Sequence, residues 1–178
     1  VLSAQGYQVS DLSMSAAAAH GMILIAHHYT KELETALQHG ASVVLLAGQK
    51  PIAQGDIPLP ECSIVARAHT RWQGDWATAF SWLKKQGPFE VLPGSPLLEM
   101  EYKDVMPDAV VTGLRAWAMR TRSWAGLALG WIHSPASLLV EMPFGRGHGV
   151  VTTFKLNTET LKTNAVARAL FGAILELF

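Results

Sequence analysis

Cys62 is the only cysteine of the chain and the first residue whose chemistry could define a function. It stands in the run Pro-Glu-Cys-Ser-Ile over residues 60–64. A catalytic thiol needs a nearby base and an exposed position, such as a Gly-x-Cys-x-Gly turn between a strand and a helix. Cys62 lacks flanking glycines and enters a predicted strand, so we expect a semi-buried, structural thiol. A single cysteine also excludes an internal disulfide and a multi-cysteine zinc site.

His27 and His28 directly follow the apolar run Met-Ile-Leu-Ile-Ala over residues 22–26. If this run is a strand, the two histidines lie at its carboxyl end, the edge where open α/β sheets bind their ligands. Adjacent side chains in an extended segment point to opposite faces, so the pair does not readily share one metal ion, and His20 is the only further ligand nearby. We predict no metal site and no cofactor, and we keep His27 and His28 as candidates at the sheet edge.

Glu99 and Glu101 are the carboxylate pair that we considered for glycoside hydrolysis, which needs two carboxylates flanking one bond. If residues 97–102 are extended, the two side chains share a face, with their Cα atoms about 6.6 Å apart. Alternating charge is also typical of an exposed strand face. The spacing alone therefore assigns no role, and we name no catalytic residue.

All six tryptophans lie between positions 72 and 131. Exposed indoles stack on the apolar faces of sugars and anchor protein interfaces. We therefore name Trp72, Trp76, Trp117 and Trp124 as candidate contacts with carbohydrate or with another protein domain. Burial in the core is the alternative, since Trp76 and Trp82 are six positions apart and need not share one helix face.

Two apolar runs, residues 22–26 and 42–47, predict short strands that are buried on both faces. Between them, Thr30 fits an N-cap, acidic residues follow in the first turn, and Gly40 fits a left-handed C-cap. This order of strand, helix and strand predicts a βαβ unit in which the two strands are adjacent and parallel.

The remaining patterns predict a sheet that ends in a hairpin and a helix. The glycine-rich run 144–149 lies between two β-rich segments, which favours a hairpin turn over a phosphate-binding loop. The other predicted elements are strands near 6–9, 63–66, 110–111, 125–131 and 137–141, a helix from Asp75 to about Lys85, an extended segment at 97–102, and a C-terminal helix over 165–178. We read one α/β domain over residues 1–178.

The composition limits the classes of partner. The chain has 178 residues, zero formal net charge and 16% charged residues, which gives no support to a nucleic-acid partner. No apolar run approaches the ~18 residues that span a bilayer, so we predict no membrane partner. The chain begins at Val1 without an initiator methionine or a signal peptide, and we expect it to be excised from a longer protein. We assign no cellular compartment.

Several of these segments resemble one family. Residues 71–82, Arg-Trp-Gln-Gly-Asp-Trp-Ala-Thr-Ala-Phe-Ser-Trp, resemble a Gly-Asp-Trp…Phe-Ser-Trp stretch in the C-terminal regions of bacterial family 2 glycoside hydrolases of the β-galactosidase-like class. Residues 130–133, 144–156 and 164–170 resemble later parts of the same region. The resemblance runs from about Met22 to Phe178.

The resemblance implies a flavodoxin-like domain, related to class I glutamine amidotransferases, that is appended to a sugar-cleaving barrel. In fold terms this is a mainly parallel sheet flanked by helices. Amidotransferases use a cysteine on a sharp turn and a His-x-Glu pair. The chain has no matching turn around Cys62, and the segment His133-Ser134-Pro135 lacks the glutamate, so no catalytic residue is carried over.

We therefore expect a non-catalytic accessory domain of a glycoside hydrolase, which braces the catalytic domain, mediates oligomerisation or shapes substrate access. The implied partners are the catalytic domain of the same parent chain, a second copy of this chain, and carbohydrate. Two alternatives stay open, namely a carbohydrate- or small-ligand-binding module and a free-standing amidotransferase-like hydrolase that uses Cys62.

Overall fold

The computed structural model describes residues 21–48, 58–73, 79–130 and 134–178. Two single-turn 3-10 helices, Gly87–Phe89 and Met100–Tyr102, lie between the fourth and fifth strands. The strands and α-helices of the described residues are, in chain order, β1 (Ile23–Ala26), α1 (Lys31–Gln38), β2 (Ser42–Leu46), β3 (Ser63–Ala66), β4 (Ala79–Leu83), β5 (Ala109–Thr112), α2 (Ala116–Arg122), β6 (Ser123–Leu129), β7 (Ser134–Phe144), β8 (Gly147–Thr152), α3 (Thr158–Thr163) and α4 (Ala165–Leu175).

The βαβ prediction is confirmed at the start of the described chain. The Thr30 hydroxyl accepts a hydrogen bond from the Leu33 amide at 3.2 Å and so caps α1. Gly40, at a φ of 92°, turns the chain out of the helix, a conformation that favours glycine. β1 then pairs with β2 in parallel, with Ile23 opposite Ser42.

The prediction that residues 22–26 are buried on both faces is wrong. β1 is the last strand of the sheet and pairs only with β2 among the described strands. Met22, Ile23 and Ile25 are each about 40% exposed, while Leu24 is buried together with Leu33 of α1. An uninterrupted apolar run does not distinguish an edge strand from a central one.

The predicted mainly parallel, flavodoxin-like sheet is wrong as well. The sheet is mixed, with strand order β1-β2-β8-β7-β5-β3, and β6 attaches β4 to β7. Only β1–β2 and β2–β8 are parallel pairs, whereas the other five pairings are antiparallel. A parallel pair between consecutive strands needs a crossover, usually through a helix. Of the described helices, α1 makes such a crossover, while the seven-residue α2 leads from β5 to β6, which do not pair.

The helix predicted from Asp75 to about Lys85 is wrong over its described part, since residues 79–83 form β4. All five residues of β4 are in register with β6, from Ala79 opposite Leu129 to Leu83 opposite Ala125. The alternation of side chains between the two faces of a strand explains the outcome. Leu83 is buried while Phe80, three residues earlier and therefore on the opposite face of a strand, is half exposed. Asp75 and Trp76 lie outside the described residues, as does the strand predicted near 6–9.

The C-terminal predictions are confirmed. β7 and β8 form an antiparallel hairpin that closes with Phe144 opposite Gly147. The Asn157 and Asn164 side chains accept hydrogen bonds from backbone amides and cap α3 and α4 respectively. α4 buries an apolar stripe that includes Leu170 and Phe171. No helix in the described ranges has the length and apolar character needed to cross a bilayer.

The sheet separates two apolar clusters. Alternate residues of β2 divide between them, with Val44 and Leu46 in the larger cluster and Val43 and Leu45 in the smaller one. The larger cluster includes residues of α4, and the smaller one includes residues of α1. β2 is thus buried on both faces, as its sequence predicted.

Gly126 of β6 permits a close approach that a side chain would prevent. A Cβ atom at this position would lie 2.4 Å from Cζ2 of Trp82, which is directly opposite on β4. We expect Gly126→Ala to lower the free energy of unfolding by about 1–3 kcal/mol through overpacking. Urea unfolding measures this change.

The matched control is Gly172→Ala in α4, where an added Cβ would meet no atom within 4 Å. This variant should raise stability by up to about 1 kcal/mol, since alanine is the better helix former. Equal effects of the two substitutions would contradict the packing of Trp82 on Gly126.

Candidate functional site

A cleft opens where the sheet divides beside β7. Ser137 of β7 pairs with Val111 of β5 and with Gly126 of β6. β5 and β6 therefore lie on opposite edges of β7 at this residue. The cleft has a volume of about 560 Å³ and is lined by parts of β4, β5, β7 and α2 and by the loop after β3. This volume lies within the ~300–1,000 Å³ typical of small-molecule sites.

Two indoles line the cleft. Trp82 packs over Gly126 and is partly exposed. Trp72 is 97% buried, and the Arg71 guanidinium lies 4.9 Å from its ring centroid, within the range of a cation–π contact. Arg67 fixes this loop by donating hydrogen bonds to the carbonyls of Trp72, at 3.3 Å, and of Pro107, at 3.1 Å.

Three cationic side chains line the same cleft, namely Arg71, Lys84 and Arg120. The Lys84 ammonium donates a hydrogen bond to the Arg120 carbonyl at 3.0 Å, which ties the end of β4 to α2. Burial lowers the pKa of Lys84, and the nearby Glu141 carboxylate partly opposes this shift. Sequence reasoning missed this cluster, because no spacing in the chain relates positions 71, 84 and 120.

The candidate tryptophans lie in different places. Trp117 of α2 is 46% exposed, and its ring stacks with the Arg122 guanidinium at 4.6 Å rather than lining the cleft. Trp124 is half-buried, with its ring centroid 5.0 Å from that of Phe89, and its indole N–H donates to Glu141. Of the four candidates, Trp72 alone is found to line the cleft, and Trp76 lies outside the described residues.

Glu141 and His148 form a pair that the sequence did not predict. The two residues lie on the β7–β8 hairpin, and Nε2 of His148 is 2.9 Å from Oε2 of Glu141. The other carboxylate oxygen accepts the Trp124 N–H, so both oxygens of Glu141 have a partner. The hairpin prediction could have revealed this pair, because Pro143 opposite His148 places Glu141 and His148 on neighbouring positions of one face.

The other predicted site residues do not meet at the cleft. His27 and His28 are exposed directly after β1, at the far end of the strand order. Glu99 and Glu101 are exposed, and residues 100–102 form a 3-10 turn, so the extended geometry that would align the two carboxylates is absent. Within the described ranges, no three His, Cys, Asp or Glu side chains are grouped so as to hold a metal ion.

Cys62 is a buried thiol, where its sequence context predicted a semi-buried, structural one. Its side chain is 92% buried and donates to the Met142 sulfur at 3.6 Å. Burial, with a smaller contribution from the neighbouring Glu61 carboxylate, raises the pKa of Cys62 to about 12. A thiol that stays protonated at neutral pH is a poor nucleophile, so this geometry does not favour a hydrolase that uses Cys62.

Two solved structures with a similar backbone arrangement are β-galactosidases. The cold-adapted β-galactosidase from Rahnella sp. R3 shares 10% sequence identity, with a TM-score of 0.43. The β-galactosidase from Bacillus circulans sp. alkalophilus also shares 10% identity, with a TM-score of 0.39. Each match covers 87% of this chain and 22% of the enzyme chain, so the chain spans less than a quarter of either enzyme. No family model and no curated protein matches the chain.

The raised pKa of Cys62 makes a prediction about stability at alkaline pH. Ionisation is easier in the unfolded chain, so the contribution of the protonated thiol is complete below pH ~9 and is lost as pH rises toward 12. We expect the difference in the free energy of unfolding between the wild type and Cys62→Ala to fall by ~2 kcal/mol between pH 8 and pH 10.5.

Urea unfolding of both proteins at both pH values measures this change. Comparison with Cys62→Ala cancels the titration of tyrosines and lysines, which both proteins share. Native-state alkylation at pH 7.5 should also be slow relative to that of the urea-unfolded chain. Rapid alkylation of the native protein, or a stability difference that does not change with pH, would contradict the buried, protonated thiol.

Proposed function

We propose that the chain is a non-catalytic accessory domain of a glycoside hydrolase, in which the cleft contacts saccharide near the substrate entrance. The parent protein would hydrolyse O-glycosidic bonds in a domain that this chain does not contain. The domain's own contribution would be binding, through its aromatic cleft, rather than chemistry.

The residues of the cleft carry this proposal. Arg71, Trp72 and Trp82 all come from residues 71–82, the segment with the sequence resemblance to family 2 glycoside hydrolases. The fold brings the two ends of this segment to one cleft, because β4 places Trp82 beside the loop that carries Trp72. An indole at a cleft wall offers a flat apolar surface, against which the C–H face of a sugar ring packs.

A titration of the full chain with oligosaccharides tests the proposal. Tetrasaccharides of galactose, glucose, mannose and galacturonic acid are the probes, and tryptophan fluorescence and calorimetry report binding. We expect at least one of them to bind, while the chain hydrolyses no aryl glycoside. Ala116→Trp places a bulky side chain at the exposed start of α2, on the cleft wall, and should weaken binding by about tenfold or more.

Trp117→Ala is the matched control, since this exposed indole is adjacent in sequence but does not line the cleft. It should leave the affinity unchanged. Because Ala116 is exposed at the start of α2, its replacement should not unfold the chain. Failure of every tetrasaccharide to bind, or turnover of an aryl glycoside by the chain, would overturn the proposal.

We propose the catalytic domain of the same parent chain as a second partner, with self-association as the related possibility for the isolated chain. Phe80 and Leu97 support this, since they are 52% and 47% exposed and both lie at the outer edge of β4. Apolar side chains at an exposed edge are typical of a surface that another domain covers. Sedimentation velocity should detect self-association that Phe80→Ser weakens and Val91→Ser, at a separate exposed position, does not.

A further inference from the structure

The charge of the cleft differs from that of the chain as a whole. The chain has 14 basic and 14 acidic residues, which cancel. The described cleft wall nevertheless carries three cations, from Arg71, Lys84 and Arg120, and no carboxylate. A concave, partly apolar wall strengthens the field of such a cluster, because solvent screens the charges less there than on an open surface.

Two of the three cations are held at the cleft by different contacts. Arg71 stacks on Trp72, and Lys84 is fixed by its hydrogen bond to the Arg120 carbonyl. Among the described residues, no acidic side chain forms an ion pair with Arg71, Lys84 or Arg120. Glu141 is the acidic group close enough to influence Lys84, and its two oxygens are engaged by Trp124 and His148. The cluster therefore has donors left for an anionic ligand.

We propose that the cleft is a binding site for acidic saccharides, in which Arg71, Lys84 and Arg120 receive a carboxylate or sulfate group while Trp82 packs against the sugar ring. This inference rests on the proposed function and narrows its ligand class. Arginine suits the role, because its planar guanidinium donates two parallel hydrogen bonds to a carboxylate or sulfate. Lys84, directly after β4, adds a compact charge to the same cleft, beside the Arg120 carbonyl.

The test compares ligands that share a sugar backbone but differ in charge. Tetragalacturonic acid and its fully methyl-esterified form are titrated into the full chain by calorimetry, together with a sulfated galactose tetrasaccharide and its unsulfated counterpart. We expect each acidic ligand to bind at least about tenfold more tightly than its neutral counterpart, since hydrogen bonds between charged partners are the stronger ones. The acid that binds more tightly identifies which anion the cleft receives.

Arg120→Gln removes one cation from the cleft, and Arg146→Gln removes one from the exposed β7–β8 turn as the matched control. Both side chains are exposed, so neither substitution should affect folding. Arg120→Gln should reduce the affinity for the acidic ligand about tenfold and leave that for the neutral one unchanged, whereas Arg146→Gln should change neither.

Several outcomes would overturn the inference, and they differ from failure of the proposed function. Equal binding of acidic and neutral ligands would leave saccharide binding intact and remove the charge preference. Equal loss of affinity in Arg120→Gln and Arg146→Gln would show a general charge effect instead of a site. Comparable binding of a thymidine decanucleotide would show a site for polyanions rather than for sugars. Absence of binding by all four saccharides would overturn this inference, whereas the proposed function falls only if the glucose and mannose tetrasaccharides also fail to bind.

Discussion

Strand β7 is the element on which the rest of the sheet depends, because it pairs with three other strands, β5, β6 and β8. Ser137 lies between Val111 and Gly126, and Leu139 lies between Ala125 and Thr152. Through these pairings β8 attaches the β1–α1–β2 unit, β6 attaches β4, and β5 attaches β3. The Ser137 hydroxyl is fully buried at this junction and shares its proton between the Ala125 and Leu139 carbonyls, each 3.1 Å away, so this polar side chain is satisfied. Without β7 the described strands would separate into three pieces, namely β1-β2-β8, β4-β6 and β5-β3.

The same junction creates the cleft. β5 meets β7 at one residue pair, whereas the pairing of β6 with β7 continues through Pro135 to Ser134. β5 and the β4–β6 pair therefore diverge, and the space between them is lined from both sides and from α2. Three different parts of the chain each contribute a cation, which is how a molecule of zero formal net charge has a cleft lined by three basic side chains.

The sequence was most informative where local signals and tertiary packing agree. The Thr30 cap, the βαβ unit, the hairpin at residues 144–149 and the C-terminal helix each follow from residues close together in the chain. The prediction for β4 was wrong because its aromatic residues fit both a helical and an alternating pattern, and only the pairing with β6 decides between the two. The prediction of a mainly parallel sheet was wrong for a related reason, since the direction of a strand depends on a partner that is remote in sequence. The cationic cleft could not be predicted, because Arg71, Lys84 and Arg120 converge only through that pairing.

The parallel pair β2–β8 also affects how the chain reaches its fold. It joins Val43 to Gly149, so the middle of the sheet forms only after more than a hundred intervening residues have been brought back. Closing so long a loop costs entropy before any contact compensates for it, and such non-local pairing slows folding. During synthesis the β1–α1–β2 unit leaves the ribosome well before β8, with the apolar edge of β2 still open. That edge is open to misassociation until the C-terminal hairpin forms and pairs with it.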